Sequence, residues 1–207
     1  MAVKILALSD EVVPWLHSPR LIETCADVDF VVSCGDLPPD YLEFVISTLN
    51  KPGFYVHGNH DARYNGRAES LLGWINVDLH TCRAGAVRIA GLEGCLRYKP
   101  DAPFQYTQDE QWLRAFWLAR KLAPGLVRFK RGVDVMLSHA PLRGIHDGQD
   151  HAHTGFDAFV WLAKTFKPRL WLHGHQHRNY NPQQPAETWL GQTRVVNVHP
   201  YRILTLD

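Results

Sequence analysis

The chain has 207 residues, with 22 Lys and Arg against 21 Asp and Glu, a net charge of +1, and 45% hydrophobic and 21% charged residues. That length suits one domain, residues 1–207, with a substantial core and no separate cap. The charge balance argues against a phosphate-tracking stripe for long nucleic acid and against an anionic membrane surface as partner. The longest N-terminal apolar run, Val3 to Leu8, is interrupted by Lys4 and is too short for a signal or spanning segment, so no membrane and a cytoplasmic location are expected.

Cys25, Cys34, Cys82 and Cys95 have no C-x-x-C or zinc-ribbon spacing and read as reduced, mostly buried thiols. Histidine is the unusual residue, at 12. Without an excess of Lys and Arg, that enrichment points toward metal binding rather than a basic surface.

Taken in order, Ala2 to Leu8 reads as a strand ending at Ser9-Asp10. Pro14 and Pro19 bracket a loop, and Arg20 to Cys25 reads as a short helix. Val28 to Ser33 is a second strand, ending at Cys34-Gly35-Asp36. After Pro38-Pro39, the apolar positions Leu42, Val45, Ile46 and Leu49 have helical spacing within Asp40 to Leu49. Phe54 to His57 is a third strand that runs into Gly58-Asn59-His60-Asp61. Ile75 to Leu79 and Ala86 to Ala90 read as shorter strands, and Tyr98 to Thr107 as a loop. Gln108 to Leu122 is a long helix with Thr107 as its cap. Val133 to Ser138 is a buried strand ending at His139, followed by a Gly- and His-rich loop over Gly144 to Gly155. Phe156 to Phe166 is helix, broken by Pro168, and Leu170 to Leu172 is a strand ending at His173-Gly174-His175-Gln176-His177. The tail segments Glu187 to Leu190, Thr193 to Val198 and Arg202 to Leu206 alternate enough to predict an antiparallel meander.

Strand and helix alternate through the first three strands, which predicts a parallel sheet with working residues at its carboxyl ends. Five strands share one pattern, each ending at a group able to bind a metal: Asp10, Asp36, Asn59, His139, then His175 with His177. Alone, each is an ordinary loop-capping carboxylate or core histidine. Together, their repetition at strand ends predicts one cleft. His175 and His177, two apart on an extended segment, point the same way beside Gly174. In the Gly58-Asn59-His60-Asp61 turn the carboxamide can ligate, the imidazole can donate a proton and the carboxylate can fix its tautomer.

The order Asp10, Gly35-Asp36, Gly58-Asn59-His60-Asp61, Ser138-His139, Gly174-His175-Gln176-His177 resembles the calcineurin-like metallophosphoesterase superfamily, over residues 3 to about 206. The resemblance implies an α/β fold, a four-layer α/β/β/α sandwich of two mixed sheets flanked by helices. It also implies two divalent metal ions, with Asp36 shared, Asp10 and His177 on the first ion, and Asn59, His139 and His175 on the second. His60 then protonates the leaving oxygen and Asp61 orients it. The implied activity is hydrolysis of phosphoric esters by a metal-bound hydroxide. Oxygen and imidazole donors suit Mn²⁺, Fe or Zn²⁺.

The sequence departs from the superfamily at its first motif, Asp-x-His, which here reads Asp10-Glu11-Val12. Valine cannot bind metal, so the first site is expected to be the weaker. Glu11 and His17 are nearby side chains able to take the vacant position, although spacing supports neither. In the 144–155 loop, His146 and His153 are candidates for contacting substrate phosphate, and Arg97, Arg143 and Arg178 are candidate anion contacts. His57, His173 and His199 read as structural. A small phosphate ester or nucleotide is the expected substrate, monoester and diester both being open. The alternative is a protein-interaction scaffold with a weakened metal site, a role that some members of this fold fill.

Overall fold

Every apolar run that reads as a buried strand is buried on both faces, and alternate side chains divide between two cores. In strand β1 (Val3–Leu8), Ile5 and Ala7 enter one core while Leu6 and Leu8 enter another. The same period-two division holds for Phe30, Val31 and Val32 in β2 (Phe30–Ser33). A strand covered on both sides needs no polar face, so its sequence reads as a continuous apolar run.

The computed structural model describes residues 2–64, 71–177 and 183–207. The remaining strands are β3 (Gly53–Tyr55), β4 (Trp74–Asn76), β5 (Thr81–Ala84), β6 (Val87–Leu92), β7 (Cys95–Leu96), β8 (Gln105–Tyr106), β9 (Val135–Ser138), β10 (Leu170–His173), β11 (Glu187–Leu190), β12 (Thr193–Asn197) and β13 (Tyr201–Leu206). The helices are α1 (Arg20–Cys25), α2 (Pro39–Leu49), α3 (Gln108–Phe129) and α4 (Asp157–Phe166). One sheet has the order β13-β1-β2-β3-β4 and a second has the order β11-β12-β10-β9-β6-β5. Each has a parallel centre with antiparallel strands at its margin, so both are mixed.

The sheets pack face to face through Ile5, Phe30, Val32, Phe54, Val135, Leu137 and Leu172, among others. The first sheet's outer face is covered by α1 and α2 through Leu21, Cys25, Leu42 and Val45. The second sheet's outer face is covered by α3 and α4 through Ala115, Leu118, Leu122, Phe159 and Leu162. The layers are therefore helix, sheet, sheet, helix. Trp171 is fully buried on β10, and its indole N–H donates to Ser138 Oγ at 2.8 Å, which removes the cost of burying that donor and ties β10 to the end of β9.

The sequence reading has no strand at β5, β7 or β8, the last lying inside the expected 98–107 loop, and two further elements differ from it. Helix α3 begins as expected: Thr107 Oγ1 accepts from the Glu110 amide at 3.2 Å while Glu110 Oε2 accepts from the Thr107 amide at 2.7 Å, a reciprocal cap. It continues past Leu122, through Pro124, to Phe129. Gly125 allows this continuation to lie against the neighbouring chain, because a Cβ there would crowd Arg88 and the Gly132 carbonyl. The tail is not one meander. β11 and β12 pair antiparallel, but β12 then runs parallel beside β10, and β13 crosses to the first sheet with Leu206 opposite Val3. Alternation shows that a strand has two unlike faces; it carries no information on which sheet receives them.

Candidate metal centre

The two sheets turn the carboxyl ends of β1, β2, β3, β9 and β10 toward one rim. Backbone hydrogen bonds lock the loops there: Asp10 N to Gly35 O at 3.1 Å, Gly174 N to His139 O at 3.0 Å and Gly94 N to His57 O at 2.9 Å. Asp10, Asp36 and His175 each have left-handed backbone, with φ of 66°, 62° and 63°. Asp and His tolerate that region better than most side chains, and each reversal comes two or three residues after its strand ends. Gly58 and Gly174 allow the loops to close up. A Cβ at Gly58 would overlap the Asp36 carboxylate and the His139 ring, and one at Gly174 would overlap Ser9 Oγ and Asp10 Oδ2.

The donors meet around His139. Its Nε2 lies 3.0 Å from Asn59 Oδ1, 3.1 Å from His175 Nδ1 and 3.4 Å from Asp36 Oδ2. These separations match the edges of a coordination polyhedron whose metal–ligand bonds are about 2.1 Å. The outer nitrogens are already engaged. His139 Nδ1 donates to the Cys34 carbonyl at 2.7 Å, and His175 Nε2 donates to the Ala152 carbonyl at 2.9 Å. A carbonyl can only accept, so both outer nitrogens carry hydrogen and the inner nitrogen of each ring faces the shared centre, as metal-binding imidazoles require. Tyr98 supports the third donor: Asn59 Nδ2 donates to its hydroxyl at 3.0 Å, leaving Oδ1 turned inward.

On the Asp10 side, both carboxylate oxygens accept from the His175 amide, at 3.1 and 3.0 Å. His177 Nε2 lies 3.8 Å from Asp10 Oδ1, with its ring against His199 at a centroid distance of 4.6 Å. Ligand atoms of Asp10, Asp36 and His139 fall within 4.8 Å of one another, so the two halves adjoin. The donor set of carboxylates, one carboxamide and imidazoles fits divalent cations of the Mn²⁺, Fe and Zn²⁺ type.

The charges are arranged as expected for a cation site holding a proton in the cation's place. Burial opposes charge on His139, yet the Asp36 carboxylate beside it holds the ring protonated, up to about 9. Burial likewise opposes charge on Asp36, but the His139 charge and hydrogen bonding, with the His60 amide, bring it down to about 2. Burial and the charge on His139 push His175 down to about 3, so it stays neutral with its lone pair available. Asp10 is raised by burial, with Asp36 adding to the rise.

Residues 3–179 match the family model described as calcineurin-like phosphoesterase. The chain belongs to the calcineurin-like phosphoesterase family. Among solved structures, the TT1561 protein of Thermus thermophilus is similar at a TM-score of 0.65 and 17% identity, covering 100% of this chain and 99% of that one. A 5′-nucleotidase precursor from the same organism is similar at a TM-score of 0.51 and 13% identity, covering 100% of this chain and 54% of that one. At these identities the likeness concerns the fold. No curated protein sequence matches the chain.

Several sequence expectations for this calcineurin-like phosphoesterase change once the side chains are placed. His146 does not face the cleft. It is buried, with Nδ1 at 2.9 Å from His173 Nε2 and Nε2 at 2.8 Å from Thr188 Oγ1, and burial pushes it down to about 4. Its left-handed φ of 60° turns the ring into the second sheet. Asp61 does not orient His60. Asp61 Oδ2 accepts from the Gly58 and Asp36 amides, at 2.7 and 3.1 Å, so this carboxylate shapes the two loops that carry ligands. Burial, with Asp36 nearby, raises Asp61 to about 6. His60 has an exposed side chain at the rim, anchored through its backbone amide to Asp36 Oδ1 at 2.7 Å.

Val12 is partly buried against the core beneath α1 and α2. Of the two nearby side chains, Glu11 Oε2 lies 3.5 Å from His199, whose ring lies against His177, while His17 packs edge-on against Tyr41 and Phe44. Arg97 is held by Glu110 and the Gln105 carbonyl, Arg143 is exposed, and Arg178 lies outside the described residues. His153 does lie at the cleft, its ring 5.1 Å from that of His175 and its Nδ1 2.8 Å from Asp150 Oδ2. It lines a cavity of about 190 Å³ with Asp147, Gln176, His177 and Gln184. A larger hollow of about 920 Å³, on the outer side of α2 near Phe44 and Asn50, has none of the donors.

Sequence reading missed two groups. Tyr98 comes from a loop with no motif, and only proximity reveals its bond to Asn59. Glu93 binds His57 Nδ1 at 2.8 Å and the Tyr106 hydroxyl at 2.7 Å, bracing the residue just before the Gly58 turn. Glu93 directly follows β6 with no motif around it, and a carboxylate at a strand end has many ordinary uses. No helix among the described residues is long and apolar enough to cross a membrane.

Proposed function

We propose that this chain hydrolyses a phosphoric ester of a small phosphorylated molecule or nucleotide, in the cytoplasm, with two divalent ions held at the rim. Asp36 would be shared, Asp10 and His177 would hold the first ion, and Asn59, His139 and His175 would hold the second. The observation that carries the reading is the pair of buried imidazoles, each with its outer nitrogen fixed by a carbonyl and its inner nitrogen turned to the same point. Divalent ions bound there would neutralise phosphoryl oxygens and acidify water.

The chain's own groups complete the chemistry. His60, exposed and anchored through its backbone amide to Asp36, would give a proton to the departing alkoxide oxygen. His153, whose Nδ1 donates to Asp150, would meet a phosphate oxygen through Nε2 as the imidazolium, with both ring nitrogens carrying hydrogen. The small cavity beside it and the near-neutral net charge favour a small substrate over long nucleic acid.

The test is turnover of bis- and mono-nitrophenyl phosphate with added Mn²⁺, together with metal analysis. His60→Ala is expected to lose roughly 10²-fold or more in kcat while retaining metal. Val12 supports one rival, a scaffold with a weakened site. Absence of turnover with any divalent ion, in protein shown to bind metal, would favour the rival over the hydrolase.

A further inference from the structure

Helix α3 is apolar on two opposite sides. Gln111, Ala115, Leu118, Ala119 and Leu122, spaced at three and four, face the second sheet and α4 and are buried. The outward side carries Trp112, Leu113, Phe116 and Trp117, which are 37%, 60%, 57% and 53% exposed. A surface helix ordinarily turns polar residues outward. Four large side chains at this exposure present on the order of 400 Å² of apolar surface, near the upper end for a lone patch on a monomer. The Trp112 ring lies 5.5 Å from Trp161 of α4, so the patch continues onto the neighbouring helix.

The flanking charges indicate what covers it. Asp109 and Arg120, both exposed, lie on the same stripe one turn before and one turn after the apolar residues. The guanidinium of Arg120 sits over the Trp117 ring at 5.3 Å. Reversing the helix against itself sets Asp109 opposite Arg120, Trp112 opposite Trp117 and Leu113 opposite Phe116. Each stripe residue thus meets another stripe residue, and each charge meets its opposite. A two-fold contact requires a surface that complements itself in this way.

We infer that the outward face of α3 is the contact between two copies of this chain, packed antiparallel about a two-fold axis between Arg114 and Ala115. The apolar stripe forms the centre, and two Asp109–Arg120 pairs close its ends. Stable interfaces bury about 800 Å² per partner. The balance beyond the stripe would come from the paired charges and the adjoining face of Trp161.

Sedimentation velocity of the full chain over about 1 to 100 µM should show a species near 47 kDa, twice 23.6 kDa. Phe116→Asp should weaken the dimer at least tenfold, on the scale of a central hot spot, and Leu113→Glu should do so independently. Both positions are exposed, so helix content should match that of the parent. Asp109→Arg alone, or Arg120→Asp alone, places like charges opposite each other twice and should weaken association by about tenfold. The two together in one chain should restore it to within about threefold. A parent that stays monomeric across the range overturns the inference. So does a dimer indifferent to Phe116→Asp, or a double exchange as weak as its singles.

Discussion

Metal uptake at the second site should displace a proton, and the size of that linkage follows from His139. With its outer nitrogen on the Cys34 carbonyl, the ring is held protonated up to about 9 by Asp36 beside its inner nitrogen. A cation must take the place of that inner proton. At pH 7 the displacement costs two pH units, about 3 kcal/mol or roughly 100-fold in affinity. The affinity for Mn²⁺ should therefore rise about tenfold per pH unit from 6.5 to 8.5 and level off near 9. Calorimetric titration in two buffers of different ionisation enthalpy should show about one proton released per second-site ion at pH 7. His175, down at about 3, has no proton to lose in this range. Stability of the metal-free protein supplies an independent check. His139 is raised from 6.5 on folding, so its contribution is full below 6.5 and lost as pH rises through about 9, on the order of 3 kcal/mol. Asp36 is lowered from 3.8, so its contribution is full above 3.8 and lost as pH falls toward about 2. Melting temperature without metal should fall between pH 7 and pH 10, and saturating Mn²⁺ should abolish that fall. An affinity that is flat between pH 6.5 and 8, with negligible proton release, would show that His139 is not a ligand or does not carry the proton.

Gly58→Ala should abolish metal binding and turnover, because the new methyl overlaps both the Asp36 carboxylate and the His139 ring. Circular dichroism should show the fold retained, and a variant with full metal content would contradict the packing argument. Graded chelation should remove one ion before the other, since Val12 leaves the Asp10 side with one imidazole fewer than the superfamily pattern. Two ions lost together would show that another donor fills that position.

Much of the rim could be read along the chain because parallel strands end on one side. Once β1, β2, β3, β9 and β10 were located by their apolar runs, the polar residue after each was placed near the others by topology alone. Site roles that depend on side-chain direction could not be read this way. His146 and His153 lie in the same loop seven positions apart, yet one is buried between His173 and Thr188 while the other stands at the cleft. Asp61 follows His60 directly, and sequence proximity suggested a pair. The 3₁₀ turn over Asp61–Tyr64 instead turns the carboxylate back onto the Gly58 and Asp36 amides.

By itself the sequence determined the order of the principal strands and helices, the cap at Thr107, and the residue types able to hold a cation, because these depend on periodicity, local hydrogen bonding and chemistry. Tertiary structure alone decided the destination of β13, the partners of Asp61 and His146, and the support from Tyr98 and Glu93. Those outcomes depend on which surfaces meet across long stretches of chain, and a local pattern contains no term for its distant neighbour. The outward face of α3 lies between the two cases: its apolar spacing is written in the sequence, but only the burial of the opposite face shows that it is left over.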